Sequence, residues 1–350
     1  MIARSPVLAN VQPRGRQRSR GRHRRRRDFL ALALALSLTV GCGMVARVAI
    51  PVTAAIPVTA TTAVKTAARP AVKHSRPAAG ISRQAMRSFA DRLVRPSINL
   101  AAFNPAAEPE VGLHAKSALL VDGDSLKVLW TREPKLRRAP ASLTKLMTAA
   151  VALDYADLDT QVKVTGAAAT AEPSRMGLEA GETLTVRDLL YGMLLPSGND
   201  AAEALASGII PRPDFIAAMN HKAADIGMRD SHFSTPSGLD APGLYTTAYD
   251  LAILAAYIVR TYPFIVQAAP TRQYSIPGSE LHKAYSLTNG NHLLAIYPGA
   301  TGLKPGFTDE AGLCIVATAT RGNRHLLAVL MGSDIVYGDA VRFLDYGFST

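Results

Sequence analysis

Apolar residues recur along this chain with two different periods, and each change of period marks an element. Ser117-Ala118-Leu119-Leu120-Val121 and Leu126-Lys127-Val128-Leu129-Trp130 are short β-rich runs separated by Asp122-Gly123-Asp124-Ser125, the composition of a hairpin turn. From Ser142 to Asp154 the apolar positions take up helical spacing. The same period governs Val186 to Leu195, Ala201 to Ser207, Asp214 to Ile226 and Thr247 to Arg260. Strand patterns return at Leu313 to Thr320 and Arg324 to Met331, about the turn Arg321-Gly322-Asn323, and Ala340 to Tyr346 closes with a helical pattern. Strands at both ends with helices between predict an α+β domain, in which an antiparallel sheet is joined through its terminal strands and carries a helical part.

Upstream of Val111 neither period is sustained. Residues 51–110 are rich in Ala, Pro, Thr and Val and predict an extended tether. Within it Ala85, Met86, Phe89, Ala90, Leu93 and Val94 recur at helical spacing among Arg83, Arg87, Arg92 and Arg95. Such a basic amphipathic helix could rest on an anionic membrane, although packing on the neighbouring domain is its more ordinary use. Residues 1–50 read as an export signal or anchor: an arginine-rich block followed by the uncharged, Ala/Leu-rich stretch Phe29 to Ala46. Arg26-Arg27-Asp28-Phe29-Leu30 resembles a twin-arginine export motif, with Arg25 before it instead of Ser or Thr. Three fates are open. Leu38-Thr39-Val40-Gly41-Cys42 is a degenerate lipobox that would leave Cys42 acylated. A protease could cut near Ala54 or Ala55, or the stretch could stay uncut as a short membrane span with its arginines cytoplasmic. All three place residues 111–350 outside the cytoplasm.

Charge changes the picture less than its total suggests. The chain of 350 residues has a formal net charge of +12, yet ten arginines lie between Arg4 and Arg27. The excess therefore belongs to the leader and not to a folded face, and no nucleic-acid partner is expected. The two cysteines are Cys42 and Cys314. The second sits in an apolar strand as an ordinary buried thiol, so no disulfide is expected. The histidines show no ligand spacing, and neither a metal nor a cofactor is expected.

The candidate chemistry begins at Ala141-Ser142-Leu143-Thr144-Lys145. On a helix, serine and lysine three apart share a face within hydrogen-bonding reach. A lysine of ordinary pKa near ~10.4 serves as a base only if burial and neighbouring cations depress it, and the positive end of the helix dipole would help. Taken alone, Ser142 could equally be a helix N-cap. Two partners follow in order: Ser197-Gly198-Asn199, between two helical stretches, and Lys304-Pro305-Gly306, just before the strand at Leu313. Each has its own ordinary use, as turn residues or as a surface lysine. A second Ser-x-Asn, Ser97-Ile98-Asn99, lies in the tether and shows how cheaply that pattern arises.

Ser-x-x-Lys, Ser-x-Asn and a lysine–glycine element, in that order, form the signature set of penicillin-binding proteins and class A β-lactamases. Ser237-Gly238-Leu239-Asp240, Thr247-Ala248-Tyr249-Asp250 and Asp309-Glu310-Ala311-Gly312 add family-like connecting segments. From Val111 onward the chain resembles a low-molecular-mass penicillin-binding protein of the serine-type D-alanyl-D-alanine carboxypeptidase family. The resemblance implies a penicilloyl-serine transferase (β-lactamase/transpeptidase-like) fold with the active site between sheet and helical part. It implies a catalytic domain at 111–350 that removes the terminal D-alanine from peptidoglycan stem peptides ending in D-Ala-D-Ala, with β-lactams as covalent inhibitors.

The implied roles fall on matching positions. Ser142 is the nucleophile, Lys145 its base and Ser197 a proton relay toward the leaving D-alanine. Asn199 would hold the substrate's amide, and Lys304 would supply positive charge near Ser197 and the terminal carboxylate. The N–H groups of Ser142 and Phe307 would form the oxyanion hole, with Gly306 allowing close approach of a strand edge. The family's usual Lys-Thr-Gly is Lys304-Pro305-Gly306 here, so a hydroxyl and an N–H are missing. A changed grip on the carboxylate is expected, helped by Thr308, with Pro305 on an edge strand or strand start. Some relatives continue into a β-rich second domain and a C-terminal amphipathic helix. This chain stops at Thr350, so neither is expected, and an N-terminal anchor would substitute.

Two of four alternatives remain at this level. The Glu-x-x-Leu-Asn segment of class A β-lactamases does not occur between Asn199 and Lys304, and the Tyr-x-Asn of related esterases is missing. A DD-endopeptidase that cuts cross-links shares all three motifs. A non-catalytic binder of stem peptides or β-lactams is encouraged only by Pro305.

Overall fold

The computed structural model describes residues 95–104 and 110–350. The export signal at 1–50, the lipobox Cys42 and the amphipathic segment of the tether lie outside the described residues.

Nine strands and nine helices are described, and five of the strands form one antiparallel sheet. These are β1 (Ser117–Asp122), β2 (Val128–Arg132), β7 (Ala300–Thr308), β8 (Gly312–Arg321) and β9 (Arg324–Ser333), in the order β2-β1-β9-β8-β7. The expected closure through terminal strands is present: β1 runs antiparallel to β9, with Leu120 opposite Ala328. Two ribbons that the pattern does not announce, β3 (Gln161–Lys163) with β4 (Thr183–Thr185) and β5 (Gln273–Ile276) with β6 (Tyr285–Thr288), are too short to show alternation.

The period of two decides which face each strand residue covers. Ala118, Leu120, Ile315, Ala317, Ala328 and Leu330 pack with Phe343 and Leu344 of the last helix, α9 (Val336–Ser349). Leu119, Val121, Val316, Val329 and Met331 face the opposite way, into the larger core shared with the other helices. Both faces are therefore covered, and the central strands read as nearly continuous apolar runs.

At the centre of the larger core is α1 (Thr144–Tyr155), buried without interruption from Thr144 to Ala152. No face of that stretch meets solvent, and its polar members Lys145 and Thr148 bond to protein groups. The short α2 (Gly166–Ala169) is followed by α3 (Val186–Leu194), α4 (Asn199–Gly208), α5 (Arg212–Ile226) and α6 (Ala248–Thr261). Thr185 caps α3 and Thr247 caps α6, each accepting from the backbone N–H three residues on. Two small helices, α7 (Pro263–Ala268) and α8 (Leu293–Ile296), lead back toward the sheet.

Residues 95–104 also belong to the folded unit. Ile98 is buried in the larger core, Leu100 and Phe103 pack against it, and Tyr249 donates its hydroxyl to the Ile98 carbonyl at 3.0 Å. Asn99 accepts from Ala101 N at 3.0 Å and caps a single 3-10 turn, which accounts for the tether's Ser-x-Asn as local structure.

Candidate active site

Ser142 does not act as a helix cap. It lies in a 3-10 turn, Ala141–Leu143, immediately before α1, and the start of that helix carries no side-chain cap. Its Oγ is instead 2.9 Å from Lys145 Nζ and accepts from Ser197 Oγ at 3.0 Å. Serine and lysine three apart thus meet on one face, as their spacing predicts, while Ser197 arrives from 55 residues away in sequence. Backbone strain accompanies both serines. Ala141, before the first, has φ +50, and Ser197 itself has φ +65, a region non-glycine residues occupy at a cost and mainly where function holds them there.

Lys145 is fully buried and makes two further bonds, to Asn199 Oδ1 and to the Ser237 carbonyl, each at 2.7 Å. Burial holds its pKa well below the ordinary lysine value, and the nearby charge of Lys304 pushes the same way. The cations and burial that the sequence calls for are therefore both present. Lys304 is buried too, donates to the Pro305 carbonyl at 3.2 Å, and is brought down to about 7 by desolvation.

Asn199 is held by protein at both ends. Its Oδ1 accepts from Lys145, and its Nδ2 donates to the carbonyls of Pro173 and Glu172. A substrate amide would have to compete with those carbonyls for the same N–H bonds, so what the geometry displays is Asn199 fixing Lys145. The neighbouring Asp200, fully buried, accepts from the backbone N–H groups of Met176, Gly177, Leu178 and Ala201 at 2.8–3.0 Å. It clamps the Glu172–Leu178 loop against α4. A buried carboxylate is tolerable only with such a set of donors.

The third motif lies on β7, the edge strand of the sheet, where Pro305 withholds no ladder bond from a second neighbour. The sequence pattern does not show this strand, because Gly302, Pro305 and Gly306 interrupt it, and pairing with β8 from Ala300 to Thr308 supplies what propensity does not. A Cβ at Gly306 would stand 2.9 Å from Ser142 N and 3.2 Å from Ala141 Cβ, so only glycine lets the edge approach the serine turn this closely. Phe307 follows, its side chain 59% exposed.

Thr308 departs from expectation. It lies four residues along β7 from Lys304, roughly 13 Å at strand rise. Its hydroxyl donates to Asp240 Oδ1 at 2.7 Å, so it is engaged with a protein carboxylate away from the lysine instead of reinforcing the grip beside it. Sequence reasoning passed over Ser237, Asp240 and Asp200 as site residues. The first contributes a backbone carbonyl, for which no side chain is diagnostic. The acids leave a fainter signal, Asp200 as a charge at the head of an apolar stretch and Asp240 within the Ser237-Gly238-Leu239-Asp240 segment.

An antiparallel sheet with a helix on one face, a helical part on the other, and a serine–lysine pair between them is the penicilloyl-serine transferase fold. Comparison with known proteins agrees. The crystal structure of the D-alanyl-D-alanine carboxypeptidase from Mycobacterium tuberculosis H37Rv superposes with a TM-score of 0.65 at 34% identity, over 71% of this chain and 96% of that one. That of the Streptomyces K15 DD-transpeptidase gives a TM-score of 0.64 at 30% identity, over 70% and 100%.

The sequence model of the S11 peptidases, described as D-alanyl-D-alanine carboxypeptidase, matches residues 103–335. The D-alanyl-D-alanine carboxypeptidase DacF of Bacillus subtilis is 35% identical over 69% of this chain, and DacB2 of Mycobacterium tuberculosis is 36% identical over 67%. The matched part spans 64% of DacF, less than two thirds, but 82% of DacB2. The chain belongs to the D-alanyl-D-alanine carboxypeptidase family of S11 peptidases.

Proposed function

We propose that this protein is a serine-type D-Ala-D-Ala carboxypeptidase that removes the terminal D-alanine of peptidoglycan stem peptides through an acyl-serine. The observation that carries this reading is the bonding of Lys145. A neutral amine has two N–H bonds and one lone pair. Asn199 Oδ1 and the Ser237 carbonyl can only accept, so they take both N–H bonds, and the lone pair is left facing Ser142 Oγ. In that state the Ser142 hydroxyl donates to Lys145, which is the arrangement a general base needs.

Ser142 Oγ then attacks the carbonyl carbon of the penultimate D-alanine while Lys145 takes its proton. The negative charge that develops on the carbonyl oxygen falls to the N–H groups of Ser142 and Phe307. Support for Phe307 comes from β7. Proline has no N–H for the ladder, so Pro305 suits a position facing away from β8, and its carbonyl is bonded by Lys304. The register is regular from Gly302 to Thr308, and in an antiparallel ladder such positions alternate, so the Phe307 N–H faces the same way as Pro305. Ser197, bonded to Ser142 Oγ, passes a proton to the departing D-alanine nitrogen, and Lys304 attracts the terminal carboxylate. Water then cleaves the ester by the reverse path. β-Lactams would be trapped at the same serine.

The finer assignments follow from this reading. Residues 1–50 export or anchor the chain, with Cys42 as a lipid attachment point if the lipobox is used, the stretch from 51 to the docked segment at 95–104 tethers it, and it acts on peptidoglycan outside the cytoplasm. Among the described residues no helix is long and apolar enough to cross a membrane.

The test is D-alanine release from diacetyl-Lys-D-Ala-D-Ala by the full chain and by Ser142→Ala. Many turnovers that vanish in the variant are expected. No release from the parent, with labelled penicillin still attaching at Ser142, would replace carboxypeptidase action by endopeptidase action or binding. Failure of both would remove Ser142 as nucleophile.

A further inference from the structure

The segment Thr235–Asp240 touches the site at three points, and only one of them is at a residue of the three motifs' own making. Ser237 O holds Lys145 Nζ. Gly238, at φ +86, lies so close to the serine turn that a Cβ there would be 1.8 Å from Ala141 O and 2.7 Å from Thr144 Oγ1. Two residues on, the Asp240 carboxylate reaches across to the sheet, accepting from Thr308 Oγ1 at 2.7 Å and from Glu310 N at 3.4 Å.

The far side of that contact is itself fixed. Thr308 Oγ1 accepts from Ala311 N at 3.2 Å, and the buried Ala311 offers its carbonyl to Arg138 at 3.3 Å. The turn joining β7 to β8 is therefore pinned beneath by Arg138 and above by Asp240, with Thr308 as the joint. Thr308 directly follows Phe307.

We infer that Asp240 is a positioning residue for the acylation step: through Thr308 and the Glu310 N–H it fixes the Phe307 N–H relative to the Ser142 turn. Because Asp240 and Ser237 belong to one short segment locked on Ala141, the same segment places the base's acceptor and the strand that carries the oxyanion donor. This rests on the proposed roles of Lys145 and Phe307. It also gives Thr308 a purpose other than holding the substrate carboxylate.

The prediction separates positioning from binding and from folding. Misplacing a reacting group by about 1 Å can slow a reaction ~10²-fold. Asp240→Ala in the full chain is therefore expected to lower kcat with D-Ala-D-Ala peptide, and the rate of acylation by a labelled penicillin, by roughly tenfold or more. KM is expected to stay within about twofold, since the carboxylate lies near Lys304 and not Thr308. Asp240→Asn keeps an acceptor for Thr308 Oγ1, the shorter of the two bonds, and loses the one for Glu310 N, so it should restore part of the rate. Thr308→Val should match Asp240→Ala, and the double variant should be no slower than either. Melting temperatures identify any variant whose loss is a loss of fold, and the Asp240→Asn and Thr308→Val rates then decide the matter.

Additive losses in the double variant, a rise in KM with kcat unchanged, or Asp240→Asn as slow as Asp240→Ala would each overturn the inference. An inactive parent chain would instead overturn the proposed function, and the penicillin acylation rates would still test the latch.

Discussion

Two buried lysines, Lys145 and Lys304, set the protonation state on which the nucleophile depends. Lys145 is depressed first by burial and then by the charge of Lys304. Below about 7, Lys304 is charged and disfavours a proton on its neighbour. Replacing it by methionine removes that repulsion, so the Lys145 pKa rises and its base form is lost at a higher pH. The acid limb of the penicillin acylation rate in Lys304→Met is thus expected to move to higher pH, whatever happens to its height. An acid limb that stays in place, followed by stopped-flow acylation from pH 5 to 9, would leave burial alone responsible. At this scale the serine and the lysine were legible because i and i+3 are neighbours on a helix. Their other partners were not, since a backbone carbonyl such as Ser237 O has no sequence signature.

Two elements control the cleft: the edge strand β7 and the segment behind Ser237. Both depend on glycines whose missing Cβ leaves room for the serine turn. For Gly238 the left-handed φ and the contact with Ala141 O act together. A non-glycine residue in that region costs roughly 1–2 kcal/mol before any clash. Gly238→Ala is therefore expected to lose at least about 2 kcal/mol in urea unfolding and to acylate more slowly than the parent. Unchanged urea midpoint and rate would mean the segment yields without disturbing Lys145. Helices α1, α3, α5 and α6 were readable because an amphipathic or wholly apolar period persists over several turns. The β7 strand was not, because Gly302, Pro305 and Gly306 conceal it and its partner β8 confers it.

Over the whole molecule, the folded unit begins earlier than the change of composition at Val111 suggests. Ile98 is 3% exposed within the larger core, and its carbonyl is held by Tyr249 at the start of α6. Truncating a buried isoleucine to alanine costs ~2–5 kcal/mol. Ile98→Ala is expected to lower stability by an amount in that range with the acylation rate of the folded enzyme nearly unchanged, as read by urea unfolding and penicillin labelling. A shift under ~0.5 kcal/mol, the size of a surface change, would show that the segment rests on the surface. Composition concealed the boundary because one isoleucine and two flanking apolar residues make no periodic pattern. Only the groove that receives them gives them a place.

Sequence by itself determined the class of fold, the order of the central elements and the serine–lysine pair, because periodicity and i,i+3 proximity are local properties of the chain. It also marked Ser197, Asn199 and Lys304 as a set, through a resemblance of order and spacing. Tertiary structure alone decided what each of them does for the others. Asn199 is spent on Lys145 and the Glu172–Leu178 loop, and Thr308 is bound to Asp240. Lys304 acts on Lys145 through a shared absence of water. Those outcomes depend on which groups lie across a gap of 3 Å from residues 55, 68 or 92 positions away. Such distances are fixed by how the sheet and helices pack, and no local pattern in the chain encodes them.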